Sequence, residues 1–178
     1  MPIASRTAQM VAPQFWIAIL RLVVGAWFLK AVWTKLTIAF AFGAIPYPEV
    51  SARFLAFQPK RVAEFAAGNP VAWYKDFLEG TVLPHAKLWA VLQAYGEVAV
   101  GIGLVLGLFT GLSALAGLFL AVNFGLATQW MSFGQQGFHL LLTTSMIILL
   151  AARAGRAWGI DALILASAGT KRWLRLVM

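Results

Sequence analysis

The spacing of charged and apolar positions outlines the elements of this chain. No Asp, Glu, Lys or Arg occurs at positions 98–152, a run of 55 residues. At ~1.5 Å per residue, a helix of that length far exceeds one ~30 Å hydrocarbon layer. The run must fold back inside the layer. Thr110-Gly111 is the expected hinge, and 131–137 the next turn. Apolar spans are expected at about 14–42, 87–108, 111–130 and 138–153. The predicted fold class is all-α, a polytopic membrane protein with a four-transmembrane-helix bundle. Residues 1–178 read as a single membrane domain.

Pro13 opens the first span, which carries Arg21, Lys30 and Lys35. On a 3.6-residue helix, Arg21, Gly25, Val32 and Lys35 share one face and Lys30 lies opposite. Arg21 is expected to face the bundle, and the two lysines to snorkel to the interface. Residues 43–84 hold Arg53, Lys60, Arg61 and Lys75 against Glu49, Glu64, Asp76 and Glu79, a neutral balance. Within them, Asn69 reads as an N-cap, Pro70 as the first helical residue and Gly80 as a C-cap. Trp73 and Phe77 then share a face, and Lys75 and Glu79 form an i,i+4 pair. With Tyr47, Phe54, Phe57 and Tyr74, this predicts an amphipathic-helical cap at the membrane surface between spans one and two.

Composition narrows the class. Hydrophobic residues make up 61% and charged residues 11%, where soluble domains carry about 25% charge. The formal charge of +8 would suit a nucleic-acid binder, but this hydropathy does not, so no nucleic-acid partner is expected. There is no cysteine, which removes disulfides, thiolate metal ligands, Fe–S ligation and a sulfur nucleophile. Two histidines, His85 and His139, are too few for the usual structural zinc site. No metal and no covalently bound cofactor are expected. The N-terminal stretch lacks a cleavable signal pattern, so the first span is expected to be retained. Arg153, Arg156, Lys171, Arg172 and Arg175 stand against Asp161 in the C-terminal region, with 154–178 read as a basic tail on anionic lipid. The positive-inside rule puts both termini in the cytoplasm and the 43–84 cap outside.

Candidate chemistry lies in the few polar residues inside the spans. A carboxylate at mid-span costs at least ~2.5 kcal/mol, so Glu97 requires a partner or a purpose. Counted from the cytoplasmic edge, Arg21 falls at ~10 Å, Glu97 at ~16 Å, Asn123 at ~18 Å and His139 at ~21 Å. An Arg21–Glu97 ion pair is expected, with Asn123 and His139 completing its hydrogen bonds. The cluster has two readings, a polar clamp that sets helix register or a site for a quinone headgroup or a proton. Gly96, Gly103 and Gly107 on span two, and Gly117 and Gly125 on span three, are expected to let helices approach closely.

Three stretches resemble a known family. LRLVVGAWFLKAVWTKL resembles the opening of DoxX/DoxD-type four-helix membrane proteins. NPVAWYKDFLEGTVLPHAKLWAVLQAYGEVAVGIGLVLGLFTGL looks like the DoxD branch, the small membrane subunit of thiosulfate:quinone oxidoreductase. AGRAWGIDALI is similar to that branch's Gly-Arg-aromatic-Gly-x-Asp close. The resemblance runs over roughly 17–165 through Asn69-Pro70, Tyr74, Pro84, Gly96-Glu97 and Gly159–Asp161. It implies a bacterial or archaeal inner-membrane protein and sulfur-compound oxidation coupled to quinone reduction. The sulfur chemistry is associated with a second subunit, and this chain would supply the anchor and a quinone pocket. The other reading is a non-catalytic structural subunit of a larger respiratory or photosynthetic complex. Both readings make the lipid bilayer and other subunits the expected partners.

Overall fold

The computed structural model describes residues 13–167. The expected basic tail at Lys171–Arg175 lies outside them. Four helices are long and apolar enough to cross a membrane: α1 (Pro13–Lys35), α4 (Ala86–Leu106), α5 (Thr110–Thr128) and α6 (Phe133–Ala151). Between α1 and α4 lie a hairpin of β1 (Leu36–Ala41) and β2 (Ile45–Val50), then helices α2 (Ala52–Ala67) and α3 (Ala72–Phe77). After α6 a short 3-10 turn, Ala154–Arg156, leads into α7 (Ile160–Ser167).

Glycines set the helix register. A Cβ on Gly25 would sit 2.9 Å from the Val105 backbone nitrogen, and one on Gly101 2.8 Å from that of Leu29. α1 and α4 therefore run antiparallel with backbones nearly touching. A Gly117 Cβ would meet Met146 Sδ at 2.7 Å, and a Gly125 Cβ would meet His139 Cβ at 3.4 Å, which seals α5 to α6. A Gly103 Cβ would strike Ser113 Oγ. Gly96 has only a Leu120 methyl at 3.9 Å, an ordinary contact. Gly107 acts differently: at φ +65° it ends α4 as a left-handed cap, where a side chain is strained. Val24, Phe28, Val100, Leu104, Ala114, Ala121, Met146 and Leu149 fill the space between the four spans. Trp16, Val23, Trp33, Ile102, Leu115, Phe119, Leu140 and Leu141 point outward as the lipid-facing surface.

Several expected boundaries move. Span one ends at Lys35, because residues 36–41 pair with 45–50 as an antiparallel hairpin. Its turn takes Phe42 at φ +52° and Gly43 at φ +76°, the two left-handed residues of a mirror-image turn. Pro46 and Pro48 are tolerated because a two-stranded ribbon leaves one edge of each strand unpaired. The hinge between spans two and three is Gly107–Phe109, and Thr110 already begins α5. Span four starts at Phe133, where Ser132 Oγ accepts from Gln135 N at 3.2 Å as an N-cap.

In the cap, α2 has no counterpart among the sequence-based expectations, since Pro59 lies inside it. It forms because Phe54, Gln58, Val62 and Ala66 recur every four residues on its buried face and Ser51 caps its start. Asn69 is not an N-cap. Its Oδ1 accepts from Val71 N at 3.0 Å, and its Nδ2 donates to Leu126 O at 2.9 Å, tying cap to bundle. Val71 holds the N-cap position of α3 instead. Gly80 is not a C-cap, because the chain continues through a π-helical segment, Leu78–Val82. The Lys75–Glu79 pair is present at 3.9 Å on an exposed face.

Candidate functional site

The polar residues of the spans gather at two ends of the bundle. At the cap end, Lys35 Nζ donates to Glu97 Oε1 in an ion pair, and Gln93 Nε2 donates to the same oxygen at 3.1 Å. Both charged side chains are mostly buried, 15% and 11% exposed. Phe54 and Phe124 flank the ammonium at 5.2 and 6.0 Å from their ring centres. The rings attract the cation and help offset its removal from water.

Arg21 is not the partner of Glu97. Along the α1–α4 contact, Gly25 lies opposite Leu104 and Val105, and Leu29 opposite Gly101. Glu97, one turn further, lies level with about residue 33 of α1. That is twelve residues from Arg21, roughly 18 Å along the helix. The expected depths set residue 14 and Leu108 level at the cytoplasmic edge, whereas Leu108 lies level with about residue 22 of α1, roughly 12 Å further in. The first turns of α4 correspondingly rise into the cap, where Ala90 and Ala94 pack on Val50 and Phe54.

Arg21 lies at the opposite end, 1% exposed, with Nη2 donating to Trp158 O at 3.1 Å. Asp161 is fully buried beside it and accepts from Phe109 N at 2.7 Å and Thr110 N at 2.9 Å, capping α5. Asp161 N donates to Gly107 O at 2.8 Å. A Cβ on Gly155 would strike Asp161 Oδ2 and Thr110 Oγ1, and one on Gly159 would strike Gly155 O. The Gly155–Asp161 close, Gly-Arg-Ala-Trp-Gly-Ile-Asp in this chain, is thus a latch that seats the C-terminal segment across the ends of α1, α4 and α5.

Asn123 joins neither group. Its Nδ2 bonds to Phe119 O at 2.8 Å, and its carbonyl accepts from the Tyr74 hydroxyl at 2.9 Å. Burial of that phenol in the cap pushes its pKa up to about 12, because the phenolate would lose its hydration.

His139 does meet Glu97 across a common cavity of about 490 Å³, enclosed by α1, α4, α5, α6 and Phe65 of α2. This is within the range of small-molecule sites. Trp27, Phe28, Phe124 and Phe138 give it aromatic walls, and Lys35, Glu97, Gln93, Thr128, Gln135 and His139 give it polar groups. His139 Nε2 lies 2.7 Å from Thr128 Oγ1, while its Nδ1 is buried with no hydrogen-bond partner among the described residues. Of the expected cluster, then, Glu97 and His139 share the cavity, and Arg21 and Asn123 lie outside it. Lys35 and Gln93 were the residues missed. Gln93 stands one helical turn before Glu97, and Lys35 shares the bundle-facing side of span one with Arg21.

The DoxD family model, described as TQO small subunit DoxD, matches residues 16–177. The chain belongs to the DoxD family. This DoxD protein is accordingly a multi-pass membrane subunit of the thiosulfate:quinone oxidoreductase type, with four candidate spans. No curated protein and no solved structure matches it.

Proposed function

We propose that this DoxD chain binds the quinone headgroup for its oxidoreductase in the cavity between Lys35–Glu97 and His139. The observation that carries this reading is a cavity lined both by His139 and by the buried Lys35–Glu97 ion pair. A quinone offers two carbonyl oxygens on a flat apolar ring, which suits aromatic walls with few fixed polar groups. Lys35, and His139 in its protonated form, can donate to those oxygens, and Glu97 can exchange a proton as the headgroup changes charge. Electrons from the sulfur compound arrive from a partner subunit.

The orientation we propose puts the cap and cavity on the extracytoplasmic side, with Arg153, Arg156 and the basic tail in the cytoplasm. The test is quinone titration of the purified protein in nanodiscs. Wild-type protein is expected to bind, and His139→Leu to bind at least tenfold more weakly, about the ~1.4 kcal/mol of one buried hydrogen bond. Equal binding by a correctly folded variant, or no binding by wild type, overturns the reading.

A further inference from the structure

The cavity has a direction. Its exposed lining residues, Trp27, Lys30, Thr34 and Gln135, all lie on α1 or α6. Every lining residue from α2, α4 and α5 is buried or half-buried. The other seams are closed by glycine contacts, α1–α4 through Gly25 and Gly101, and α5–α6 through Gly117 and Gly125. Between α1 and α6 the Trp27 and Phe138 rings meet with centres 5.2 Å apart and planes tilted by 52°. Lys30 Nζ rests 3.7 Å over the outer Trp27 ring.

This opening faces lipid. One turn along from Trp27 is Val23, 63% exposed, and near Phe138 is Leu141, 70% exposed, both on the apolar outer surface of the spans. Trp27 lies eight residues before the end of α1, about 12 Å inside the bundle's cap end. Thr34 and Gln135 lie close to that end. The mouth therefore runs from the polar interface into the hydrocarbon.

We propose that the α1–α6 seam is a lateral entrance for a bilayer-borne amphiphile with a flat polar head and a long hydrocarbon tail, and that the Trp27–Phe138 pair is its gate. This rests on the quinone reading above. The head passes between the two rings to Glu97 and His139, and the tail stays in lipid along Val23 and Leu141. Lys30, held on Trp27 by its cation–π contact, stands at the mouth where an electronegative head arrives.

The chain has no cysteine, so the seam can be locked cleanly. Trp27→Cys with Phe138→Cys is reconstituted in phosphatidylcholine nanodiscs and bridged with a reducible bis-methanethiosulfonate. The probe is an azido-ubiquinone with a decyl tail dissolved in the same bilayer, and labelled peptides are read by mass spectrometry. Labelling of the peptides around Glu97 and His139 is expected to fall at least tenfold in the bridged protein and to return on reduction. Thr34→Cys with Gln135→Cys, on the rim of the same mouth, serves if the first pair does not fold. Bridged protein labelled at the open protein's rate overturns the entrance and leaves the cavity reading standing. Absence of labelling in every form, wild type included, overturns both.

Discussion

Lys35, the last residue of α1, forms its ion pair with Glu97, which stands mid-way along α4. The pair links two antiparallel helices at the edge of the cavity, and each charge is buried only because the other is there. Removing one partner leaves the other uncompensated, at a cost of about 3 kcal/mol. Glu97→Leu or Lys35→Met alone should therefore lower the thermal midpoint in detergent sharply. The double substitution should recover most of the loss. Additive losses would show that the two residues are not coupled.

A second prediction concerns the latch at the other end. Asp161 takes hydrogen bonds from two backbone nitrogens at the start of α5, where a carboxylate also complements the helix dipole. Asp161→Asn should cost about 1–2 kcal/mol. Unfolding midpoints of the single variant, of Arg21→Met and of the double variant measure it. Arg21 and Asp161 share one buried site, so their losses should be non-additive.

Helix approach can be tested with three alanines. Gly25→Ala and Gly101→Ala each drive a methyl to within 3 Å of a facing backbone nitrogen, and overpacking of that kind costs about 1–3 kcal/mol. Gly96→Ala meets only a Leu120 methyl at 3.9 Å and should be neutral or slightly stabilising through helix propensity. Equal midpoints for all three would refute the register described above.

The Tyr74 phenol supplies a pH signature. Its folded pKa of about 12 lies above the ordinary value of 10.0. Between those values the unfolded chain loses the proton that the folded chain keeps, so stability is intact below about pH 10 and is lost as pH rises toward 12. Tyr74→Phe should flatten that alkaline limb in a plot of midpoint against pH, and should also lose the hydroxyl bond to Asn123 O. An unchanged limb in the variant would assign the alkaline loss elsewhere.

Much of this architecture was legible in the chain. The four spans, the Lys75–Glu79 pair and the family membership follow from runs of apolar residues and local motifs, which depend on neighbours in sequence. The cap is less legible. Pro59 masks α2, and the strand from 36 to 41 merges into span one because an uncharged apolar run looks the same as helix or as strand.

The amino-acid sequence by itself determined that this is a four-span membrane protein whose few buried charges are confined to known positions, because each charge in hydrocarbon costs kilocalories whatever surrounds it. Only the tertiary structure decided how those charges pair. Pairing depends on the relative height of helices, and that height is set by glycine contacts between α1 and α4 and by how far α4 rises into the cap. A shift of nearly four turns separates an Arg21–Glu97 pair from the Lys35–Glu97 pair observed, and no local pattern along the chain records it.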